Sequence, residues 1–292
     1  MPCHCDWVDA FTDTPFGGNG CVVVHDAGDI SLEDRMRLVR ETSLAECAYL
    51  VGSDKADFGV RYYLADKEIP MAGHPTIATV QSLLHRGMVA PGDDFTLEVG
   101  AGVMPISISD DGTITMTQAA PEFGKQFEPA EIAAIYDGLE AADIAGAPQV
   151  VSTGTPFCIT IVKDKDALRR ARMNFDALHR FRDHSGTSRA EVMEPFLVTL
   201  GGETPKGDTF SRLLLAPPSV PEDAFTGSAT GCMAAYLWAR GLIESPRFIA
   251  EQGHWMGRPG QAQVEVLGPP DAISGIKVGG KGVVLMSGEL LI

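Results

Sequence analysis

The chain has 292 residues, of which 45% are apolar and 21% charged, a balance typical of globular proteins rather than disordered chains. Its 39 acidic residues outnumber its 23 Lys and Arg residues, and the resulting net charge of −16 makes nucleic acids and anionic membrane surfaces poor partners. No apolar run reaches the roughly 18 residues that a membrane span needs, and Met1 to Asp9 do not resemble a secretory signal, so we expect a cytoplasmic protein.

The first half of the chain predicts short strands and two helices. Ser31 is a candidate N-cap with Asp34 at the capping-box position, which predicts a helix to about Ser43. After a Gly-His-Pro turn, an apolar helix is expected at Thr76 to Arg86. Strands are predicted where apolar runs lie between turn residues, at Cys5–Phe11, Cys21–His25, Glu46–Val51, Phe58–Leu64, Phe95–Val99, Val103–Ser109 and Thr113–Gln118.

The second half predicts the same kinds of element. Its apolar helix is expected at Thr230 to Arg240, and shorter helices at Pro129–Leu139, Asp166–Arg172 and Asn174–Arg182. Strands are predicted at Gln149–Thr153, Phe157–Lys163, Glu194–Leu200, Phe210–Leu215, Gln261–Leu267, Ile276–Val278 and Gly282–Met286.

One short phrase occurs twice, 154 residues apart. In each copy a turn of small residues leads into an apolar helix that ends in Arg-Gly. The helix N-termini offer clusters of backbone N–H groups, which bind anions, so a site is expected between the halves if they face each other. The paired positions are Gly73 with Gly227, Arg86 with Arg240, and Gly87 with Gly241.

This organisation predicts an α+β fold of two similar, pseudo-symmetric domains. Each half combines short strands with one long apolar helix, which favours a curved, mostly antiparallel sheet wrapped around a central helix. No low-complexity linker separates the halves, and the boundary is expected in the stretch Ala119 to Glu122.

Asp223 and His74 stand at the repeated turns. A buried Asp223 would have a raised pKa and could hold a proton, whereas the alternative is that it only caps the helix or the turn before it. His74 lies between Gly and Pro at a helix start, where a neutral imidazole is a plausible donor.

Three further polar residues are weaker signals by themselves. Glu46 begins a predicted strand, where a solvated surface position is the ordinary alternative to function. Asn19 lies among glycines in a turn that could be a simple hairpin. Arg258 could reach a substrate carboxylate or could lie in a surface turn.

No cofactor or metal motif is found. Cys3-His4-Cys5 has no second Cys/His pair at ligand spacing, so no metal site is expected. The glycine-rich loop at residues 17–20 lacks the spacing of a dinucleotide fingerprint, and there is no P-loop. The six scattered cysteines are typical of a chain with reduced thiols.

Several blocks together resemble the PhzF-like phenazine-biosynthesis isomerase family, within the diaminopimelate epimerase-like fold. They occur in the family's order and cover essentially the whole chain. The blocks are Val8-Asp9-Ala10-Phe11-Thr12 with Pro15, Gly18 and Asn19; Ala45-Glu46; Ala72-Gly73-His74-Pro75-Thr76; Glu222-Asp223; Thr226-Gly227-Ser228-Ala229; Gln252-Gly253; and Met256-Gly257-Arg258-Pro259.

The resemblance implies two domains, at residues 1–119 plus 281–292 and at 120–280, with the last strand returning to the first domain. It also implies a site in the cleft between them, commonly a homodimer, and no cofactor. The family's type member isomerises trans-2,3-dihydro-3-hydroxyanthranilate.

By matching position, the resemblance also implies roles for particular residues. Glu46 would be the proton-shuttling acid and base, with His74, Asp223 and Ser228 assisting. A small carboxylate substrate would be bound by Asn19, Gly73, Pro75, Gly227 and Ala229.

The chain also departs from the family and from its relatives of the same fold. Tyr62 to Asp66 and Gly231-Cys232 replace stretches that family members usually carry, so the type member's substrate does not transfer. Epimerases and racemases of this fold use two cysteines, but Ala72 and Thr226 stand at those positions. We therefore expect a cofactor-independent isomerase, with a non-catalytic binding protein and an epimerase as alternatives.

Overall fold

The computed structural model describes residues 3–185 and 194–292. Its helices are α1 (Leu32–Thr42), α2 (Gly73–His85), α3 (Pro129–Ala133), α4 (Lys165–Arg170), α5 (Phe175–Ser185) and α6 (Gly227–Ala239). Its strands are β1 (Cys3–Ala10), β2 (Asn19–Val24), β3 (Cys47–Val51), β4 (Phe58–Tyr63), β5 (Glu68–Ile69), β6 (Asp94–Val99), β7 (Gly102–Ile108), β8 (Ile114–Gln118), β9 (Glu122–Gln126), β10 (Tyr136–Asp137), β11 (Ile144–Ser152), β12 (Pro156–Val162), β13 (Arg172–Met173), β14 (Phe196–Leu200), β15 (Thr209–Leu214), β16 (Glu222–Asp223), β17 (Arg247–Gln252), β18 (Gly260–Leu267), β19 (Gly275–Gly280) and β20 (Gly282–Leu290).

The two halves have the same strand order. In the first half the strands pair in the order β20–β1–β2–β3–β4–β6–β7–β8, and β5 adds to β4. In the second the order is β9–β11–β12–β14–β15–β17–β18–β19, and β16 adds to β15. Each half has parallel pairs at the third and fifth steps and antiparallel pairs elsewhere. The predicted α+β fold with two similar, mostly antiparallel halves is confirmed.

The halves are joined at two places. β8 pairs antiparallel with β19, so one continuous sheet runs through both halves. β20 follows β19 after Lys281 and pairs with β1, as the resemblance implied for the last strand. The domain limits at 119/120 and 280/281 stay a prediction.

The two apolar helices form the centre of the core. α6 is buried from Gly227 to Leu237, and α2 is buried over most of its length. A helix that is apolar all round has no face for solvent, and burial against the surrounding strands is its stable position. The N-termini of the two helices approach each other, with Gly73 of α2 next to Gly227 of α6.

Element types were predicted better than element limits. The Ser31 N-cap is confirmed, since its hydroxyl accepts a bond from the Asp34 amide. The starts expected at Thr76 and Thr230 were wrong, because each helix already begins at the glycine three residues earlier. The first turn of a helix tolerates a proline, whose missing N–H is not needed there.

Other limits also differ. The helix expected to reach Leu139 ends at Ala133, and Gly138, at φ 81°, follows the two-residue β10. β3 begins at Cys47, which leaves Glu46 just outside the strand. The strands β5, β10, β13 and β16 were not predicted, because two residues carry little periodicity, and β9 was not predicted, because all five of its residues are exposed and show no apolar alternation.

Candidate active site

Helices α2 and α6 meet at their N-termini, and each begins at a glycine. A Cβ added to Gly73 would lie 2.4 Å from the amide nitrogen of Ser228 and 2.5 Å from Cα of Gly227, so no side chain fits there. The N-cap residues, Ala72 and Thr226, make no side-chain capping bond. Because the first N–H groups of a helix have no acceptor within it, these two N-termini form a cluster of donors that can bind an anion.

Glu46 lies directly before β3. Its side chain is 17% exposed, but Oε2 is buried and has no hydrogen-bond partner among the described residues. Burial, and after it the negative charge of Asp223, hold the pKa of the Glu46 carboxyl well above its usual range. This is not the solvated surface position that the sequence left open. The matching residue of the second half, directly before β14, is Pro195.

His74 lies in the first turn of α2 and is buried. Burial, and after it the positive charge of Arg258, lower the pKa of His74 to about 3, so its imidazole is neutral near pH 7. Nδ1 lies 3.0 Å from Nδ2 of Asn19 and 3.8 Å from Oε2 of Glu46. An amide N–H donates, so Nδ1 accepts and the ring proton is on Nε2. That Nε2 is buried without a hydrogen-bond partner in the described part of the chain, and is therefore a donor free for a substrate.

Asn19 connects the two halves. Besides its contact with His74, Nδ2 donates to Oδ1 of Asp223 at 2.7 Å and to the carbonyl of Phe225 at 3.0 Å, so its two hydrogens serve three acceptors and one hydrogen is shared. Asn19 pairs with Ala10 across the β1–β2 hairpin, so the loop between the strands determines where its amide lies. Since three protein acceptors surround Nδ2, a contact between Asn19 and substrate would use Oδ1.

Asp223 lies in β16, just before α6. Its Oδ2 accepts a bond from Oγ1 of Thr226 at 2.6 Å. Burial raises the pKa of Asp223 to about 6, although the hydrogen bonds from Thr226 and Asn19 lower it. Asp223 does more than cap its own turn, the alternative left open by the sequence, because Asn19 of the other half also bonds it.

Two buried glutamines support this turn, and no role was predicted for either of them. Gln252 Nε2 donates to the carbonyl of Asp223 at 2.9 Å, and its Oε1 accepts from the amide of Thr226 at 3.0 Å. Gln118 Nε2 donates to the carbonyl of Gly227 at 2.9 Å. Gln252 stood in the family-like block Gln252-Gly253, but nothing in the sequence near Gln118 indicates its contact.

Arg258 takes neither of the positions considered from the sequence. Its Nη2 lies 2.6 Å from Oδ1 of Asp9, and its Nη2 and Nε donate to the carbonyls of Gly17 and Gly18 at 3.0 and 2.9 Å. The guanidinium is thus bonded to the first half of the chain through Nε and Nη2.

The remaining candidates lie in or beside the first turns of the central helices. Pro75 and Ala229 are both buried there, and so is Ser228. Tyr62 and Cys232, which mark departures from the family pattern, are both fully buried. They can affect the site through packing but have no exposed surface.

The polar candidate groups other than Glu46 are closed off from solvent. Asn19, His74, Asp223 and Ser228 are each at most 6% exposed, so a substrate can reach them only after the surrounding residues move. A cleft of about 690 Å³ lies elsewhere, on the side of Phe11 towards Lys281, and none of these four residues lines it.

The site is asymmetric in its chemistry. The first half supplies a carboxyl with a free oxygen and a neutral imidazole donor, and the second supplies a carboxylate fixed by Asn19 and Thr226. Such a set can transfer protons beside a bound anion.

Within residues 3–185 and 194–292, no group of three or more His, Cys, Asp or Glu side chains is arranged to hold a metal ion. None of the described helices is both long and apolar enough to cross a membrane.

Comparison with known proteins gives matches along nearly the whole chain. A model of the family described as phenazine biosynthesis-like protein, PhzC-PhzF, matches residues 8–288. The chain is 31% identical over 263 residues to the uncharacterized isomerase YfhB of Bacillus subtilis, covering 88% of each chain. It is 27% identical over 288 residues to the trans-2,3-dihydro-3-hydroxyanthranilate isomerase of Pseudomonas aeruginosa, covering 97% of each.

A solved structure has the same fold. The crystal structure of the PhzF-family phenazine biosynthesis protein of Bacillus anthracis matches with a TM-score of 0.84 at 27% identity, over 100% of both chains. The relatives' names favour an enzyme over the non-catalytic binding protein that the sequence left open. The family match over nearly the whole chain, the isomerase relatives and the shared fold all agree: the chain belongs to the phenazine biosynthesis-like (PhzF) family of isomerases.

Proposed function

We propose that this protein is a cofactor-independent isomerase that moves a proton between two carbons of a small carboxylate substrate, with Glu46 as the acid and base. The observation that carries the proposal is the buried Oε2 of Glu46, which has no partner among the described residues and lies 3.8 Å from the His74 ring. A proton shuttle has to accept a proton and return it, and a carboxyl whose pKa lies well above its usual range suits both steps.

In the proposed reaction, ionised Glu46 removes a proton from a substrate carbon. The electron pair of the broken C–H bond moves into the adjacent unsaturated system, and the negative charge spreads over the substrate. The protonated Glu46 then delivers the same proton to a second carbon, where a new C–H bond forms. Charge and atoms balance, and no oxidant or reductant is consumed.

The negative charge of the intermediate requires fixed donors. The Nε2–H of neutral His74 and the hydroxyl of Ser228 are proposed to supply them. The substrate carboxylate is proposed to bind at the N–H groups of Gly73, Gly227 and their neighbours, with Pro75, Ala229 and Oδ1 of Asn19 completing the site. Burial of the site supports this role, because exclusion of water protects a reactive carbanion-like species.

The substrate class is proposed to be a small, unsaturated carboxylate. The name of the Pseudomonas aeruginosa relative specifies trans-2,3-dihydro-3-hydroxyanthranilate, which is such a molecule. Tyr62 and Cys232 depart from the usual family pattern. We therefore use trans-2,3-dihydro-3-hydroxyanthranilate as a probe of activity and do not propose it as the substrate of this protein.

The experiment follows proton exchange rather than a particular product. We would incubate the protein in D₂O with trans-2,3-dihydro-3-hydroxyanthranilate, and with a panel of small unsaturated carboxylates, and follow deuterium incorporation by NMR. Glu46→Gln should slow the exchange by about 10²- to 10⁴-fold, the usual contribution of a general acid or base. Glu41→Gln, an exposed glutamate five residues earlier, is the matched control and should exchange at the wild-type rate. Equal exchange by Glu46→Gln and wild type would contradict the proposal.

A further inference from the structure

We infer that Arg258 is a positioning residue for the isomerisation: it fixes the loop before β2 and, through that loop, the amide of Asn19 and the proton position on His74. Arg258 lies in the second half of the chain, whereas every group that its side chain bonds lies in the first. The inference rests on the proposed function of His74 as a neutral donor.

Arg258 contacts the loop before β2 directly. The guanidinium of Arg258 binds the carboxylate of Asp9 and the carbonyls of Gly17 and Gly18 at 2.6 to 3.0 Å. The other oxygen of Asp9 accepts from the amide of Phe16 at 2.7 Å. A planar guanidinium presents several donors in a fixed geometry, and a single arginine can therefore hold a carboxylate and two carbonyls together.

The backbone of this loop is held in place at Gly18. Gly18 has φ +50°, and a Cβ there would lie 2.0 Å from the carbonyl oxygen of Ala10. Its amide donates to the carbonyl of Pro259 at 2.9 Å, next to Arg258. Gly18 is therefore fixed by the second half from both its amide and its carbonyl. Asn19 follows directly in the chain.

Asn19 contacts two of the proposed catalytic residues. Its Nδ2 contacts Nδ1 of His74 at 3.0 Å and Oδ1 of Asp223 at 2.7 Å. A displaced Asn19 would leave Nδ1 of His74 free to carry the ring proton, and the donor on Nε2 would then be lost in part of the molecules. Asp223 would keep its bond from Thr226 but lose the one from Asn19.

Charge supports the same arrangement. Arg258 contributes a positive charge near His74, whereas Glu46 lies 3.8 Å from the ring and Asp223 faces it through Asn19. Asp9 is fully buried and is neutralised by Arg258.

The test uses NMR of the histidine ring nitrogens, which does not require turnover. The signals of His74 in ¹⁵N-labelled full-length protein are assigned by their loss in His74→Asn. In the wild type, Nδ1 should be unprotonated and Nε2 protonated, without titration above about pH 4.5, as expected for a pKa about 3. Asn19→Ala should give a mixture of the two neutral tautomers and serves as the positive control.

Two variants of the arginine separate its contacts from its charge. Arg258→Lys keeps the charge but cannot bond Asp9 and both carbonyls, and we expect the tautomer mixture of Asn19→Ala. The double variant Arg258→Met with Asp9→Asn removes both charges, and we expect the mixture together with a higher pKa of His74, because Arg258 is the charge that lowers it. Arg247→Met breaks an exposed ion pair with Glu265 and is the matched control.

The outcomes are distinct from those of the proposed function. Wild-type tautomer and titration in folded Arg258→Lys and in the double variant would overturn the inference, even if Glu46 proves to be the acid and base. The absence of any exchange by the wild type would contradict the proposed function and leave this test intact. With the carboxylate whose protons the wild type exchanges, Arg258→Lys should lower kcat more than it raises KM. A higher KM with an unchanged kcat would also contradict a positioning role.

Discussion

The amide of Asn19 donates to the carboxylate of Asp223 across the boundary between the two halves, at 2.7 Å. Asp223 is buried, and burial raises its pKa to about 6 in spite of this bond. Its charge in turn raises the pKa of Glu46. A carboxyl from one half of the chain thus affects the protonation of a carboxyl from the other half.

Thr226→Val should raise the pKa of Asp223 further. The Thr226 hydroxyl donates to Oδ2 of Asp223 at 2.6 Å and so favours the ionised form, and valine has the same shape without the donor. We expect a rise of about one unit in a ¹³C carboxyl NMR titration, since one hydrogen bond is lost. Thr117→Val, on β8, is the control, and an unchanged titration in Thr226→Val would show that this bond has no effect on Asp223.

Asp223→Asn should stabilise the protein at neutral pH at the expense of activity. The carboxyl has an unfolded pKa near 3.8 and a folded pKa of about 6, so its stabilising contribution is complete below the lower value and lost as pH rises through the higher one. An asparagine does not titrate. The gain in unfolding free energy at pH 8 should reach at most about 3 kcal/mol, from roughly two pKa units, and should vanish near pH 4.

The control for this measurement has the opposite sign. Asp57 is exposed, and hydrogen bonds from Thr96 lower its pKa. Its contribution is therefore present at neutral pH and is lost in acid, and Asp57→Asn should destabilise the protein at pH 8. Denaturant unfolding at pH 4, 6 and 8 compares the two variants. Equal stability changes for Asp223→Asn at all three values would contradict the raised pKa.

The sequence identified the parts of the site that repeat. Gly73 and Gly227 were identified from the short phrase that occurs twice in the chain, and the structure brings both into direct contact. Local patterning also gave the central helices, because an apolar run of that length is a strong signal. Glu46 was different: its position before a strand is ordinary, and the resemblance to a family singled it out.

What the sequence could not give are contacts between residues far apart in the chain. Asp9 and Arg258 are separated by 249 residues, and nothing local indicates that the two side chains bond. Asn19 was assigned to substrate, which stays a prediction, but the three protein acceptors around its amide nitrogen were not predicted. Such pairs depend on how the halves pack, which periodicity and turn chemistry do not encode.

Gly73→Ala should separate the two helix N-termini. The added methyl would lie 2.4 Å from the Ser228 amide nitrogen, and the backbone there has to move. We expect a loss of about 1 to 3 kcal/mol, typical of overpacking, although alanine alone would favour the helix. Proton exchange should be lost with it. Gly52→Ala has open space around it and is the control; a fully active Gly73→Ala would contradict the close approach of the helices.

Cys47→Ala and Cys232→Ala should retain proton exchange, and this tests the epimerase alternative. Burial raises the pKa of Cys47 to about 12 and that of Cys232 to about 11, so neither thiol is ionised near pH 7 and neither can act as a base. Ala72 and Thr226, at the positions where epimerases of this fold carry cysteines, offer no thiol. Each variant should lose stability, because it leaves a small cavity in the core. Exchange rates measured in D₂O and compared with those of Glu46→Gln separate the two mechanisms. A loss of exchange in either cysteine variant as large as the loss in Glu46→Gln would favour thiol chemistry. Exchange rates near wild type in both cysteine variants would leave the carboxyl as the group that moves the proton.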